Sequence, residues 1–267
     1  MPKSYFILFL LIIFSCNTKK NQTLEPKPIS IDPNYCRILS NTRSDGEQYQ
    51  FIFKNGQIQN ILGFNDFDTF VYSGSKIIKA FHSKNKNIQI LFDFDSENLL
   101  KKITFEGTDS QAKPFSFPSV ITHNSLKKID KLNLVWPTFN GSVDTKFEYD
   151  SNGNIKFVYA FLDGEWQILL ENVEFDEKFS PYKNQQLGQI LSFYMVYTLL
   201  SGGSNFSYFM NANNVKSAIV KSGNSKILYK YEYLYNQNGY PLEMNATKTI
   251  INKSTAFSEK FSYDCDK

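Results

Sequence analysis

Apolar and polar residues alternate along much of this chain. Ile88, Ile90, Phe92 and Phe94 occupy every second position, as do Ile155, Phe157, Tyr159 and Phe161. Tyr49, Phe51 and Phe53, the pair Ile103 and Phe105, and the run Ile227, Tyr229, Tyr231, Tyr233 and Tyr235 do the same. A period of two marks β-strands that bury one face. Between the runs lie repeated turn sequences. "YDSNGNI" from Tyr149 and "YNQNGYPL" from Tyr235 share an aromatic residue, Asp or Asn, any residue, Asn and Gly. "FDSENLL" from Phe94 carries Asn98 where the others have glycine, and Asn is the residue that best replaces glycine at positive φ. "FKNGQI" from Phe53 and "YSGSKI" from Tyr72 are shorter relatives. Alternation on both sides of Asn-Gly predicts hairpins. Their turns fall at Asn55 and Gly56, at Asp95 and Asn98, at Asp150, Asn152 and Gly153, and at Asn236, Asn238 and Gly239. The predicted fold is mainly β, a meandering antiparallel sheet or open barrel of successive hairpins.

One stretch departs from this period. In "NQQLGQILSFYMVYTLLSGG", Leu187, Ile190, Leu191, Tyr194 and Leu199 follow helical spacing. Phe193, Met195 and Val196 make the segment apolar nearly all round, which predicts a helix near residues 185–200 buried against the sheet. Asn184 is placed to cap its start, and Gly202 or Gly203 to end it. Between Lys113 and Leu132, Pro114 and Pro118 argue against a strand and for a second helix or irregular chain.

The N-terminus changes the picture of where such a domain works. Lys3 precedes ten apolar residues, Tyr5 to Phe14, a secretory pattern too short for the roughly 20 residues of a membrane-spanning helix. "IIFSC" resembles a bacterial lipobox, in which Cys16 becomes the acylated first residue of the mature chain. Two or more acyl chains anchor a protein stably. Residues 17–33 are polar and contain three prolines, so they read as a tether. The organisation is therefore a signal peptide over 1–15, a lipidated cysteine and tether over 16–33, and a single β-rich domain over 34–267. Asn17 follows the cysteine rather than an aspartate, and no acidic run follows it, which favours the outer membrane and leaves the leaflet open.

The turn repeats resemble the YD repeat of Rhs-type proteins. They are more similar to Bacteroidota lipoproteins of unknown function built from such hairpins, for which a porin-like β fold is proposed. That resemblance rests on the turns at Tyr149 and Tyr235 and on the closing "FSYDC". It implies an architecture and no catalytic residues.

Charge and composition exclude several function classes. Formal net charge is +3 and the lysines are scattered, so no basic block addresses nucleic acid. With Cys16 acylated, Cys36 and Cys265 form one pair in an oxidising compartment, bridged or as two free thiols. Asp150, Asn152 and Asn154 alternate as calcium ligands do, but glycine stands at position four rather than six of the loop, which suits a turn. No metal or cofactor is expected. Asp93 with Asp95, and Asp66 with Asp68, are carboxylate pairs whose simplest reading is a solvated strand face, with a hydrolase as the third functional class. His82 and His123 are too far apart in sequence for zinc-like spacing. The expected role is a non-catalytic binding or structural module of the cell envelope. The partners are the membrane, through the anchor, and a glycan or envelope protein. A glycan would stack on Trp136, Trp166 and the tyrosine stripe.

Overall fold

In a computed structural model, residues 36–64, 67–136, 141–183, 187–202, 205–223 and 225–265 are described. They form 16 antiparallel strands closed into a barrel, in which every strand pairs with its sequence neighbours. The strands are β1 (Cys36–Arg43), β2 (Gln48–Lys54), β3 (Gln57–Leu62), β4 (Thr69–Ser73), β5 (Lys76–His82), β6 (Asn85–Phe94), β7 (Leu100–Thr108) and β8 (Pro114–His123). They continue as β9 (Ile129–Val135), β10 (Ser142–Tyr149), β11 (Ile155–Leu162), β12 (Glu165–Phe179), β13 (Asn213–Ser222), β14 (Ser225–Tyr235), β15 (Pro241–Ile250) and β16 (Lys253–Cys265). One helix, α1 (Leu187–Leu200), and a short 3-10 turn, Ser207–Phe209, lie between β12 and β13. The mainly β fold and the single helix agree with the periodicity, and the open alternative gives way to closure. β1 pairs with β16 from Cys36↔Cys265 to Arg43↔Glu259. Closure pairs the first strand with the last, which an open sheet would leave as free edges. At the start of the seam Cys36 and Cys265 are disulfide-bonded, their Cα atoms 4.1 Å apart.

Among the described residues, five hairpins turn in one way. Asp95, Asp109, Asn124, Asp150 and Asn236 each donate their backbone N–H to the carbonyl four residues on and accept from the N–H three residues on. Each side chain also accepts from the N–H groups two and four residues on. The fourth residue then takes positive φ: Asn98, Ala112, Lys127, Gly153 and Gly239. The "NG" pair at Asn55 and Gly56 instead makes a two-residue loop, with φ of 51° and 76°.

Pro114 and Pro118 do not interrupt the chain, contrary to the sequence expectation. They lie in β8, opposite Thr108 and Thr104 of β7, while β9 joins β8 only from Val120 onward. A proline lacks the N–H for one ladder bond. Here that loss falls where β8 has a partner on one side only.

Inward side chains are apolar and buried. They include Ile38, Phe51, Ile77, Ile103, Leu132, Val158, Val220 and Tyr229. Outward positions are largely polar or charged, as with Asp93 paired to Lys102 at 2.7 Å, Gln89 to Glu106 at 2.7 Å and Lys146 to Glu148 at 3.6 Å. The helix meets β7, β9, β12 and β13, strands from around the ring, so it fills the lumen. Its Leu187, Ile190, Leu191, Phe193, Met195, Val196 and Leu199 are buried. Gly202, at φ 73°, donates to Leu199 and ends it. Asn184, Gly203, Asp66 and Cys16 lie outside the described residues.

Every strand, the seam and its disulfide fall within the unit Pro33–Lys267, which therefore carries all the contacts it needs to fold. Cys36→Ser in that unit is expected to lower unfolding free energy, by up to about 5 kcal/mol for so long a closed loop. Urea denaturation of the oxidised protein and the variant measures the difference.

Candidate functional site

Consecutive hairpins place their turns alternately at two ends of the barrel. The termini and the β12–β13 insertion share one end with the turns at Asp95, Asn124, Asp150 and Asn236. The β3–β4, β5–β6 and β9–β10 connections lie at the other, far end.

At the terminal end, side-chain amides hold the insertion in the lumen. Asn172 of β12 donates to the Ile155 carbonyl (2.7 Å) and to Ser207 Oγ (3.0 Å), and accepts from Asn205 (2.9 Å). Asn211 Oδ1 accepts the Ile155 N–H at 2.8 Å. Asn154 Oδ1 accepts from Ala212 (3.0 Å) and Asn213 (2.9 Å). The turn at Asp150 therefore does two jobs. Asp150 Oδ1 takes the Asn152 and Asn154 N–H groups at 2.9 and 2.8 Å, and Oδ2 takes the Asn154 amide at 3.0 Å. Its carboxylate is engaged by the backbone and a neighbouring amide, and no group of three or more potential metal ligands gathers among the described residues.

A charged pair is buried beside this network. Glu259 of β16 is 2% exposed, accepts from Asn41 Nδ2 at 2.9 Å and lies 3.4 Å from Arg43 Nη1. Burial raises its pKa above the ordinary 4.5, against the opposing pull of Asn41 and Arg43. The native state thus takes up this proton before the unfolded chain, and gains relative stability as pH falls through that window.

At the far end the wall itself is loosened. The β5–β6 ladder jumps from Phe81↔Gln89 to His82↔Asn85, and β3 and β4 share a single paired position, Asn60↔Thr69. Inside this loosened wall lies a cavity of about 430 Å³. Its apolar surface comes from Phe67, Ile90, Phe105, Trp136 and the helix residues Phe193 and Tyr194. Trp136 stacks on Phe105 at 4.7 Å and packs against Phe193 at 5.8 Å and Tyr197 at 5.0 Å. His82, Lys84, Asn85 and Gln89 form the polar side. Asp68 stands behind His82, whose Nε2 is 3.9 Å from Asp68 Oδ2. Burial raises the Asp68 pKa, but bonds from Ser83 and Thr69 and the nearby His82 outweigh it and hold the carboxyl below its ordinary value.

The other residues singled out from the sequence are scattered. Asp93 is on the outer wall beside Lys102, and Asp95 caps a turn at the terminal end, so the two do not share a cavity. His82 and His123 sit at opposite ends. The stripe Tyr229, Tyr231, Tyr233 and Tyr235 stacks ring on ring at 5.8, 6.5 and 5.9 Å, with Tyr229 and Tyr231 in the core. Trp166 is on the outer wall, 42% exposed and edge-on to Phe161 at 5.5 Å. Phe67, Phe105, Phe193 and Tyr194 were not legible as site residues, because three separate segments bring them together with Trp136 from a fourth.

No protein-family model and no curated protein sequence matches this chain. Solved structures match it in fold. A porin-like protein from Bacteroides vulgatus aligns at TM-score 0.53 and 12% identity, over 85% of this chain and 99% of that one. A porin-like protein from Bacteroides uniformis aligns at TM-score 0.47 and 6% identity, over 85% and 98%.

Two outcomes follow from the lumen. Asn172→Ala orphans buried partners and is expected to cost about 1–3 kcal/mol, with faster hydrogen exchange in α1. Arg43→Met leaves Glu259 buried and unpaired, at a cost of about 3–5 kcal/mol near neutral pH. Protonating Glu259 relieves that cost, so the variant's deficit in denaturation experiments shrinks as pH falls through the raised pKa of Glu259.

Proposed function

We propose that this chain is an envelope lipoprotein whose barrel stands in water and binds a ligand at its far end, without catalysis and without forming a pore. The polarity of the wall carries this reading. A membrane barrel turns an apolar band outward and keeps a polar lumen, and a lysine or arginine at the bilayer midplane costs it about 2–4 kcal/mol. Here Lys102, Lys146, Lys216 and Lys230 point outward beside Asp93, Glu148, Glu174 and Glu232, while the lumen is apolar and occupied by α1. The resemblance to YD-repeat envelope lipoproteins, the lipobox-like "IIFSC" and the porin-like fold of the Bacteroides vulgatus protein support an envelope location. An acylated Cys16, on the outer membrane and in either leaflet, would then supply the membrane contact that the wall does not.

A second reading has its own observation. Trp166 and Phe161 are both more than 40% exposed, with Lys146 over the Trp166 ring at 5.4 Å, as a glycan-stacking surface on the outer wall would require. A glycan array with Trp166→Ala as control separates this site from the far-end cavity.

Labelling cells with an alkyne fatty acid is expected to tag the protein, and Cys16→Ala to abolish the tag. Label that persists in the variant would remove the anchor. The full chain added to solute-loaded vesicles is expected to release nothing, and release would overturn the non-pore reading.

A further inference from the structure

We propose that the far-end cavity binds an amphiphile with one anionic head, its apolar body among the aromatic side chains and its head at Lys84. The inference rests on the reading of the barrel as a binding module and names the ligand class. Its size comes first. At about 430 Å³ the cavity lies in the range of about 300–1,000 Å³ typical of small-molecule sites. An enclosed apolar cavity beside Tyr231 and Glu259 is about 20 Å³, room for a water at most, and the clefts of about 270 Å³ at Lys128 and about 560 Å³ at Pro114 are lined by polar and apolar surface in nearly equal parts.

The lining decides the body of the ligand. Phe67, Ile90, Phe105 and Phe193 offer no side-chain hydrogen-bonding group, and Trp136 and Tyr194 only one each. A sugar buried there would leave hydroxyls without partners, at a cost of about 1–3 kcal/mol each. A ring system or short acyl chain loses nothing and removes apolar surface from water.

The rim decides the head. Among the described residues that line the cavity, none is acidic. His82 is beside Asp68, and Lys86 lies over the Phe81 ring at 5.9 Å. Lys84 is exposed at the opening and makes no ion pair among the described residues. One lysine fits one negative charge. A nucleotide or other polyanion would find no second unpaired cation among the described lining residues.

The test uses the unit Pro33–Lys267 carrying Phe161→Ser and Trp166→Ser, which removes the outer aromatic pair and leaves Trp136 as the sole tryptophan. The probe is 8-anilinonaphthalene-1-sulfonate, an aromatic body with one sulfonate, excited by energy transfer from Trp136. Dodecanoate, 1-naphthoate and neutral dodecanol compete with it. We expect saturable transfer, with displacement by dodecanoate or naphthoate depending on whether the body is acyl or aromatic. Dodecanol should be the weaker competitor. Lys84→Glu should weaken probe binding about tenfold, and Lys84→Arg should preserve it. Equal competition by dodecanol, or no change in Lys84→Glu, would overturn the anionic head and leave a binding cavity standing. Absence of saturable transfer would overturn both this inference and the far-end site it rests on.

Discussion

A closed sheet of 16 strands encloses more space than its own side chains can fill. Porins of that size keep a water-filled channel. This barrel has an apolar inner face, and an apolar face cannot line an empty or wet lumen without losing the contacts that stabilise it. The consequence is α1. A helix inside a ring of strands meets apolar side chains on every side, so it has to be apolar on every side. "LGQILSFYMVYTLL" meets that demand and would be a poor surface helix. The insertion between β12 and β13, the amide network that holds it and the polar outer wall all follow from the need to fill the lumen.

That network explains why asparagine recurs at the terminal end. The chain leaves the sheet after β12, enters the lumen and returns to β13, exposing backbone groups where there is no water to meet them. Asn205 and Asn154 accept the N–H groups of Ser207 and Ala212, while Asn211 accepts from and Asn172 donates to the backbone of Ile155, where β11 meets the insertion. An amide donates from one atom and accepts at another, which an ionised carboxylate cannot do. The second asparagine of "DSNGN" thus belongs to the plug, and the aspartate to the turn.

The hairpins were legible in the sequence wherever the left-handed position holds Gly or Asn. The turns at Asp95, Asp150 and Asn236 could be found that way. Those at Asp109 and Asn124 have the same hydrogen bonds but place Ala112 and Lys127 at positive φ, which conceals them. Four local bonds around one Asx side chain outweigh the strain of about 1–2 kcal/mol that a Cβ brings. β8 was illegible for a related reason. Proline rules apply to strands paired on both sides, and a sequence does not show that β9 starts pairing late. The helix was readable because its apolar residues change period from two to 3.6.

The far-end cavity could not be read in advance, and the reason is topological. Its aromatic residues come from the β3–β4 connection, β7, the end of β9 and α1, and each looks like an ordinary core residue in its own segment. What makes them a site is the failure of the sheet to close tightly over them. At the terminal end the disulfide, the Asx turns and the asparagine network hold the insertion in place, leaving a cleft of about 270 Å³ beside Lys128 and Met210. At the far end the β5–β6 ladder skips residues and β3 barely pairs with β4, so the core reaches the surface between those strands. A filled barrel with one secured end and one loosened end can admit a ligand without opening a channel. The polarity of the wall and the asymmetry of the two ends both support the proposed function, binding at the mouth of a plugged barrel.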